Sequence, residues 1–284
     1  MDKMKAALIA TGFMPKDMDA FEAVEKLAAM GYKGYEMIMF AMGMDMATGK
    51  SKYTMDEAVA KIREVGMEPL TTVFSIGDPR RPLDITELIK QNHDYNIGRA
   101  TCMGGPITNY RFGSVDEPRG YDDCMRDVEE LEKVAAALKK EGIVVCYHNH
   151  DIEFTTCFKG VPYYYLMAAN TDDLKFELDT GWATYGGFDP VQLMNQLGDR
   201  LCAVHIKDFA DGFRMGSNYG SREVSMPIFT TPGTGNLKLK EVLATACKMG
   251  IDYAIIEQDY MRNLDPLATA QAGYYNMKET GYVE

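Results

Sequence analysis

Histidines and carboxylates stand at the ends of short apolar runs in several distant parts of this sequence. They are three of the four histidines and three acidic residues, namely Glu36, His148, His150, Asp179, His205 and Glu257. Imidazole and carboxylate groups without an accompanying thiolate suit a divalent ion that prefers nitrogen and oxygen ligands, such as Mn, Co, Zn or Mg. Burying this many ionisable groups without a counter-cation would be costly. The pattern therefore predicts a site for one divalent metal ion.

Each of these residues also has an ordinary structural interpretation. A histidine at a strand end is often a hydrogen-bonded structural residue, and Glu36 can form an ion pair at the same place. Asp179 can cap a helix, because Asp-Thr-Gly is also a turn sequence. The shared position of all six residues after apolar runs is what favours a common site.

The apolar runs alternate with longer amphipathic segments in eight strand-then-helix units. Strands are predicted where apolar residues run without interruption, at 6–10, 35–39, 70–74, 100–103, 143–147, 174–178, 201–206 and 253–256. Helices are predicted where apolar residues recur at helical spacing, at 17–30, 54–66, 85–92, 122–140, 161–169, 190–197, 239–249 and 266–278.

The strand pattern predicts the fold class. Continuous rather than alternating apolar strands indicate a parallel sheet that is covered on both faces. Eight units without a Pro/Gly-rich linker predict an α/β protein with a single (β/α)8 TIM-barrel domain over residues 1–284. Active residues of such barrels lie at the carboxyl ends of the strands, where the six residues above occur. An open doubly wound sheet is the alternative, but no GxGxxG follows the first strand.

Composition limits the partners of the chain. The 284 residues carry a net charge of −12, which argues against binding a phosphate backbone. No stretch approaches the roughly 20 apolar residues that cross a membrane. The first residues do not resemble a signal peptide, and the six scattered cysteines are predicted to be reduced, so a cytoplasmic protein is expected.

Six sequence segments carry a family resemblance. They span nearly the whole chain: GYKGYE (31–36), YHNHDIEF (147–154), ELDTGW (177–182), AVHIKDF (203–209), TPGTGNLKLKEVL (231–243) and AIIEQD (254–259). The chain resembles the xylose-isomerase-like TIM-barrel superfamily of sugar (phosphate) isomerases and epimerases. It is most similar to the branch that carries His-Asn-His and is related to inosose dehydratase and D-tagatose 3-epimerase.

The resemblance implies one divalent ion with four ligands from strands five to eight. Carried over by position, the ligands are His148, Asp179, His205 and Glu257. The fifth-strand ligand is usually a glutamate in the epimerases, whereas His148 occupies that place here. Glu153, five residues further on, is the alternative ligand from this strand.

The resemblance also implies a reaction. A base removes the proton beside a carbonyl of a monosaccharide or keto-sugar, and the metal stabilises the resulting enediolate. Glu257 would flank the substrate, and the base would be His150, Glu153 or His148, since the pKa of histidine lies near working pH. Reprotonation makes the chain an isomerase or epimerase. Expulsion of a β-leaving group makes it a lyase, either an inosose-type dehydratase or an enzyme that eliminates from a 3-keto-glycoside.

Three further residues are predicted to contact the sugar. Glu36 would bind a hydroxyl, Trp182 would stack on a sugar face, and Lys207 would bind a hydroxyl, carboxylate or phosphate. Their structural alternatives are an ion pair for Glu36, packing at the barrel rim for Trp182, and a salt bridge to Asp179 or Glu257 for Lys207. The segment 208–236 is predicted to be a long loop of the kind that forms lids.

Two other functions are alternatives to an enzyme of sugar metabolism. Repair of abasic DNA, as in the endonuclease IV relatives, uses three metals and a basic surface, which four histidines and an acidic chain do not supply. A non-catalytic barrel would have Asp179 and Glu257 held in salt bridges and would take up no metal. The family's members are often dimers or tetramers, so a homo-oligomer is expected by analogy.

Overall fold

Strands and helices alternate along the chain as the apolar runs predict. The computed structural model describes residues 2–10, 12–45, 48–77, 82–104, 107–108, 119–219, 222–260 and 264–284, with the side chains of 211–227 outside the description. The strands are β1 Lys5–Ile9, β2 Gly34–Glu36, β3 Glu68–Pro69, β4 Thr72–Phe74, β5 Arg99–Cys102, β6 Val144–His148, β7 Cys157–Phe158, β8 Val161–Pro162, β9 Lys175–Asp179, β10 Leu201–Ile206, β11 Asp208–Tyr219, β12 Arg222–Thr230 and β13 Tyr253–Ile256.

Most described helices begin with a capping residue. The helices are α1 Ala20–Met30, α2 Ile38–Ala41, α3 Met55–Glu64, α4 Ile85–Asp94, α5 Tyr121–Lys139, α6 Ile152–Thr155, α7 Tyr163–Ala169, α8 Thr180–Tyr185, α9 Pro190–Leu197, α10 Leu239–Lys248 and α11 Pro266–Glu279. Thr54, for example, accepts from the backbone of Glu57 while the Glu57 side chain accepts from the backbone of Thr54. This reciprocal capping box satisfies two backbone donors that the first turn would leave without partners.

The contacts divide the chain into two units. The first unit comprises Met1–Thr71, Ala203–Asp211 and Phe229–Glu284, and the second comprises Thr72–Cys202 and Gly212–Ile228. The expectation that residues 1–284 form a single domain stays a prediction.

The first unit is built on parallel strands in the order β3, β2, β1, β13, β10. Apart from the exposed Lys5 at the start of β1, the central strands β1 and β13 are apolar, as a sheet covered on both faces requires. Ala7 pairs with Ile255 in register, and both side chains are fully buried. Gly34 in β2 is needed for this packing, since a Cβ there would lie 2.8 Å from the Ala7 Cβ. The register brings the carboxyl ends of β2, β13 and β10 to one edge of this sheet.

The second unit has parallel strands in the order β9, β6, β5, β4. Cys146 of β6 pairs with Lys175 of β9, and His148 pairs with Glu177 two residues further on. Apolar side chains of α5, among them those of Val128 and Leu131, are fully buried. The carboxyl ends of β6 and β9 therefore lie side by side, which is the arrangement that the site residues of this unit require.

The structure corrects the prediction in four places. The second strand was predicted to run to residue 39, but it ends at Glu36, because Met37 adopts a positive φ of 56° and α2 begins. The segment 208–236 is not a continuous loop, since β11 and β12 pair in a two-stranded sheet. The helix predicted from residue 161 begins at Tyr163, because Val161–Pro162 pairs with Cys157–Phe158.

The fourth correction concerns the cysteines. Cys146 and Cys202, predicted to be reduced, form a disulfide within the second unit. The fold places their Cα atoms 6.9 Å apart, although 56 residues separate them in the sequence. Linear spacing therefore could not reveal this pair. In the part of the chain that the structure describes, none of the helices has both the length and the apolar composition of a transmembrane segment.

Candidate functional site

The first unit places His205 between two carboxylates. His205 lies in β10, Glu257 follows the end of β13, and Glu36 ends β2. The Nδ1 atom of His205 is 2.9 Å from Oε2 of Glu257, and its Nε2 atom is 2.9 Å from Oε2 of Glu36. All three side chains are buried. Three predicted site residues thus meet in this unit.

Lys207 joins this cluster through its ammonium group. It is two residues after His205, on the same side of an extended chain. Its Nζ atom is 3.1 Å from Oε2 of Glu257 and 3.3 Å from Oδ2 of Asp259. Only 1% of Lys207 is exposed, so its charge is balanced by these carboxylates rather than by water. The ion pair to Glu257 is one of the alternatives that the sequence left open for this residue.

Asp208 fixes the glycine-rich segment next to the cluster. Its Oδ2 atom accepts from the backbone N–H groups of Gly233 and Gly235, and its Oδ1 atom accepts from those of Phe209 and Leu237. A Cβ at Gly235 would lie 2.3 Å from the Phe209 carbonyl oxygen, so only glycine fits there. Burial raises the pKa of Asp208, and these four N–H donors act in the opposite direction.

The second unit brings His148 and Asp179 together at the ends of neighbouring strands. His148 is the last residue of β6, and Asp179 is the last residue of β9. The Nε2 atom of His148 is 3.9 Å from Oδ2 of Asp179, and both side chains are fully buried. The Oδ1 atom of Asp179 accepts from the backbone N–H of Trp182 at 2.8 Å and caps α8. One oxygen therefore caps the helix while the other faces the imidazole.

Asn149 locks these two strand ends together. Its Oδ1 atom accepts from the backbone N–H of Asp179 at 3.1 Å, and its Nδ2 group donates to the Asp179 carbonyl at 3.3 Å. The amide side chain thus imitates a strand backbone beyond the end of the sheet. Since Asn149 directly follows His148 in the sequence, these two bonds hold the backbone of Asp179 close to that of His148.

Glu153 is held by three donors. Its Oε1 atom accepts from the hydroxyls of Thr108 at 2.8 Å and Tyr147 at 2.7 Å, and its Oε2 atom accepts from the backbone N–H of His150 at 2.7 Å. Glu153 is fully buried. The carboxylate thus anchors the turn that carries His150.

His150 lies between two rings. Its ring centroid is 5.2 Å from that of His148 and 5.7 Å from that of Trp182. His150 is only half-buried, whereas Trp182 is almost completely buried. Trp182 therefore packs against the buried side of His150. Of these two rings, only the imidazole is partly accessible to solvent.

Sequence analysis missed Glu177 and Arg99. The Oε2 atom of Glu177 is 3.4 Å from Nδ1 of His148, and its Oε1 atom is 3.2 Å from Nη2 of Arg99. Glu177 is fully buried in β9. A signal was present, because Glu177 is two residues before Asp179 and must point to the same face of the strand.

The donors fit a divalent metal ion of the predicted kind. Within each unit an imidazole nitrogen faces a buried carboxylate oxygen: His148 with Asp179, and His205 with Glu257. Nitrogen and carboxylate donors suit Mn, Co, Zn or Mg. The ligand set and the roles of the predicted substrate and catalytic residues stay predictions.

Comparison with known proteins gives relatives along the whole chain. An inosose dehydratase from Clostridium beijerinckii is 24% identical over 311 aligned residues, which cover 100% of this chain and 97% of that protein. An inosose dehydratase from Geobacillus kaustophilus is 30% identical over 140 residues, and this match spans 46% of the chain and 45% of that protein. The chain thus matches less than half the length of the second relative.

Solved structures share the fold. A sugar phosphate isomerase/epimerase from Parabacteroides distasonis aligns with a TM-score of 0.69 at 19% identity, covering 99% of this chain and 96% of that one. A 3-keto-D-glucoside 4-epimerase from E. coli aligns with a TM-score of 0.67 at 17% identity, covering 98% of this chain and 100% of that one.

The family model described as xylose isomerase-like TIM barrel matches residues 24–279. The predicted α/β (β/α)8 fold class is thereby confirmed. Since the match covers most of the sequence, this chain belongs to the xylose isomerase-like TIM-barrel family.

Proposed function

We propose that this chain is a divalent-metal-dependent sugar isomerase or epimerase that removes the proton beside a carbonyl of a monosaccharide or keto-sugar. One observation supports the proposal most strongly. In each unit, a buried imidazole faces a buried carboxylate at the carboxyl ends of parallel strands. Catalytic groups of this fold lie at those strand ends.

The cation in this proposal is one Mn, Co, Zn or Mg ion per chain, with His148, Asp179, His205 and Glu257 as ligands. A bound divalent ion supplies Lewis-acid polarisation of a carbonyl oxygen and so makes the neighbouring proton easier to remove. The buried imidazole and carboxylate groups at the strand ends support this ligand set, because they are nitrogen and oxygen donors of the kind that these ions prefer.

His150 is the base in this proposal. It is the partly exposed imidazole of the turn after β6, and Trp182 packs behind its ring. Glu153 already accepts three hydrogen bonds, which leaves it poorly suited to take a proton. We assign Glu153 the task of holding the backbone N–H of His150, and thereby the position of the imidazole.

Lys207 and Glu257 act on the substrate from the first unit. The ammonium group of Lys207 can donate to a substrate hydroxyl or carbonyl oxygen while it keeps its contact with Asp259. Glu257, 2.9 Å from His205, flanks the same place and is the second group for proton exchange. Trp182 contributes by supporting His150 rather than by stacking on the sugar, because its side chain is almost fully buried.

A lyase is the second candidate function. The observation that favours it is the name inosose dehydratase on relatives that align over the whole chain, such as the Clostridium beijerinckii protein. Removal of the same proton followed by loss of a β-hydroxyl or β-glycosyl group would give this outcome. The residues that take the proton are the same in both reactions, so the product distinguishes them.

The proposal predicts deuterium incorporation from solvent. The chain, loaded with Mn²⁺, is incubated in D2O with a panel of aldoses, ketoses, inososes and 3-keto-glycosides, and products are analysed by NMR and mass spectrometry. We expect label on the carbon beside the carbonyl, and rates at least 100-fold lower for His150→Gln, because base catalysis contributes that much.

His93→Gln is the matched control, since His93 is an exposed histidine paired with Glu141. It should turn over at the rate of the unchanged chain. A labelled epimer or isomer supports the main proposal, and an unsaturated or dehydrated product supports the lyase. An isomer or epimer without label would contradict the main proposal. An elimination adds no deuteron to the carbon that lost the proton, so the lyase is judged by its unsaturated or dehydrated product, and the absence of any such product would contradict it. Cytoplasmic location and a homo-oligomer stay predictions.

A further inference from the structure

Each of the two imidazoles proposed as ligands has a second buried carboxylate at its other nitrogen. In the first unit, Glu257 lies 2.9 Å from Nδ1 of His205, and Glu36 lies 2.9 Å from Nε2. Glu36 is 1% exposed. Glu36 thus pairs with His205, in keeping with the ion pair that the sequence left open for it, and its binding of a sugar hydroxyl stays a prediction.

The second unit repeats the arrangement with the nitrogens exchanged. Asp179 lies 3.9 Å from Nε2 of His148, and Glu177 lies 3.4 Å from Nδ1. The Nη2 atom of Arg99 is 3.2 Å from Glu177, so a guanidinium offsets the charge of this buried carboxylate. Glu177 is therefore held beside His148 by a second partner, Arg99, while the contact that places Glu36 is the one with His205 itself.

A neutral imidazole has one N–H group and one lone pair. An ionised carboxylate only accepts hydrogen bonds, so a carboxylate at one nitrogen favours the proton on that nitrogen. The lone pair, which a metal ion requires, is then on the other nitrogen. A carboxylate in this position fixes both the tautomer and the orientation of the ring.

We propose that Glu36 and Glu177 are positioning residues that hold His205 as the Nε2–H tautomer and His148 as the Nδ1–H tautomer. His205 then presents Nδ1 to the cation, and His148 presents Nε2. This inference rests on the proposed function, because it requires that a cation is bound. It deepens that function by assigning each ligand atom and by giving Glu36 and Glu177 their roles.

The chain's small number of histidines makes the test direct. Histidine labelled with ¹⁵N is incorporated, and the purified chain is loaded with ¹¹³Cd²⁺ as the probe. Signals of His93 and His150 are assigned with the variants His93→Gln and His150→Gln. We expect ¹¹³Cd couplings to Nδ1 of His205 and to Nε2 of His148, with an N–H proton on the opposite nitrogen of each ring.

The outcomes separate the inference from the function on which it rests. Coupling through Nε2 of His205 or Nδ1 of His148 would overturn the inference, since Glu36 or Glu177 would then be on the metal side, while the cation site itself would stand. Absence of bound cadmium would contradict the proposed function, and the inference would fail with it.

Affinity measurements give a second readout that does not depend on turnover. By isothermal titration calorimetry, Glu36→Gln and Glu177→Gln should each bind Cd²⁺ and Mn²⁺ about 10- to 100-fold more weakly, the usual effect of removing such an outer partner. The matched control is Glu141→Gln, which removes the same charge beside the exposed His93 at 3.4 Å and should leave affinity unchanged.

Circular dichroism establishes that each variant is folded. If a glutamine variant does not fold, the aspartate variant at the same position is measured instead, because it keeps the charge on a shorter side chain. Unchanged affinity in folded variants at both positions would overturn the inference, because a merely structural carboxylate would lower stability without weakening metal binding.

Discussion

Asp179 shows how one side chain can satisfy two needs at the residue scale. Its Oδ1 atom caps α8 through the N–H of Trp182, and its Oδ2 atom faces Nε2 of His148. Sequence analysis left capping and metal binding as alternatives for this residue. The two oxygens of a carboxylate point in different directions, so the observed cap uses one oxygen and metal binding by the other stays a prediction.

The first prediction separates these two tasks. Asp179→Asn keeps an oxygen that can cap α8, while Asp179→Ala loses both the cap and the charge. We expect both variants to lose more than tenfold in Mn²⁺ affinity, measured by calorimetry. Only the alanine variant should also lose about 1 kcal/mol of unfolding free energy through the missing cap, measured by urea denaturation of the metal-free chain. Equal stability of the two variants would argue against the capping role.

Residues at or near the carboxyl ends of strands were open to prediction, whereas Glu177 and Arg99 were not. His148 and Asp179 each follow an apolar run, so fold class alone puts them at the carboxyl edge of the sheet. Glu177 lies inside β9 and Arg99 begins β5. Their partners depend on the strand register and on ring orientation, which the linear pattern does not contain.

At the scale of elements, side chains that cap backbone groups fix the loops around the strand ends. Asp208 accepts from the backbone N–H group of Phe209 and from three N–H groups of the glycine-rich turn at 233–237, those of Gly233, Gly235 and Leu237. That turn cannot satisfy these donors by itself, because it forms neither helix nor strand.

The second prediction tests this anchor. Asp208→Asn would place an amide N–H group against backbone N–H groups and leave at least one donor without an acceptor. We expect the free energy of unfolding to fall by about 1–3 kcal/mol, measured in urea. Asp252→Asn, at an exposed carboxylate of the same unit, is the control and should change stability by less than about 0.5 kcal/mol. A loss of the same small size at Asp208 would contradict the account of this turn.

The third prediction concerns the start of α1 and its pH dependence. Asp19 caps α1 through Phe21, pairs with Lys52 and accepts from the Tyr53 hydroxyl at 3.0 Å. The hydrogen bond from Lys52 lowers the pKa of Asp19, burial raises it, and the hydrogen bonds from Tyr53 and Phe21 lower it further. The resulting pKa is about 2. A lowered pKa stabilises the folded state above the ordinary aspartate value, and this contribution is lost as pH falls toward 2.

Asp19→Ala should therefore cost about 1 kcal/mol at pH 7 through the missing cap, and the difference from the unchanged chain should shrink between pH 4 and pH 2. Asp19→Asn keeps the cap and should cost less than the alanine variant at pH 7. Urea denaturation at a series of pH values measures both effects. A difference that stays constant down to pH 2 would refute the assigned pKa shift.

Regular elements were predictable because their periodicity is local. β10 and α9 have the predicted bounds, and α4 ends two residues beyond the predicted helix. The pair β11 and β12 was missed because glycine and serine in that segment favour turns, and pairing between the two strands outweighs this tendency. The short strands β7 and β8 were missed because a two-residue strand has no period to detect.

At the scale of the whole molecule, charge and fold restrict the function together. The family is a TIM barrel, which hosts many chemistries, so the fold alone does not select a reaction. The net charge of −12 opposes binding to a phosphate backbone and so disfavours the DNA-repair alternative. Acidic chains still bind a divalent cation readily, and this agrees with the proposed site.

The central claim is that one divalent cation is held by ligands that include His205 and Glu257 of the first unit. The most direct test is the metal content of the chain after loading with Mn²⁺ and removal of the excess, measured by elemental analysis. We expect about one ion per chain, and its loss in the variant His205→Ala, with His93→Ala as the control that keeps it. Full occupancy in His205→Ala would contradict the account.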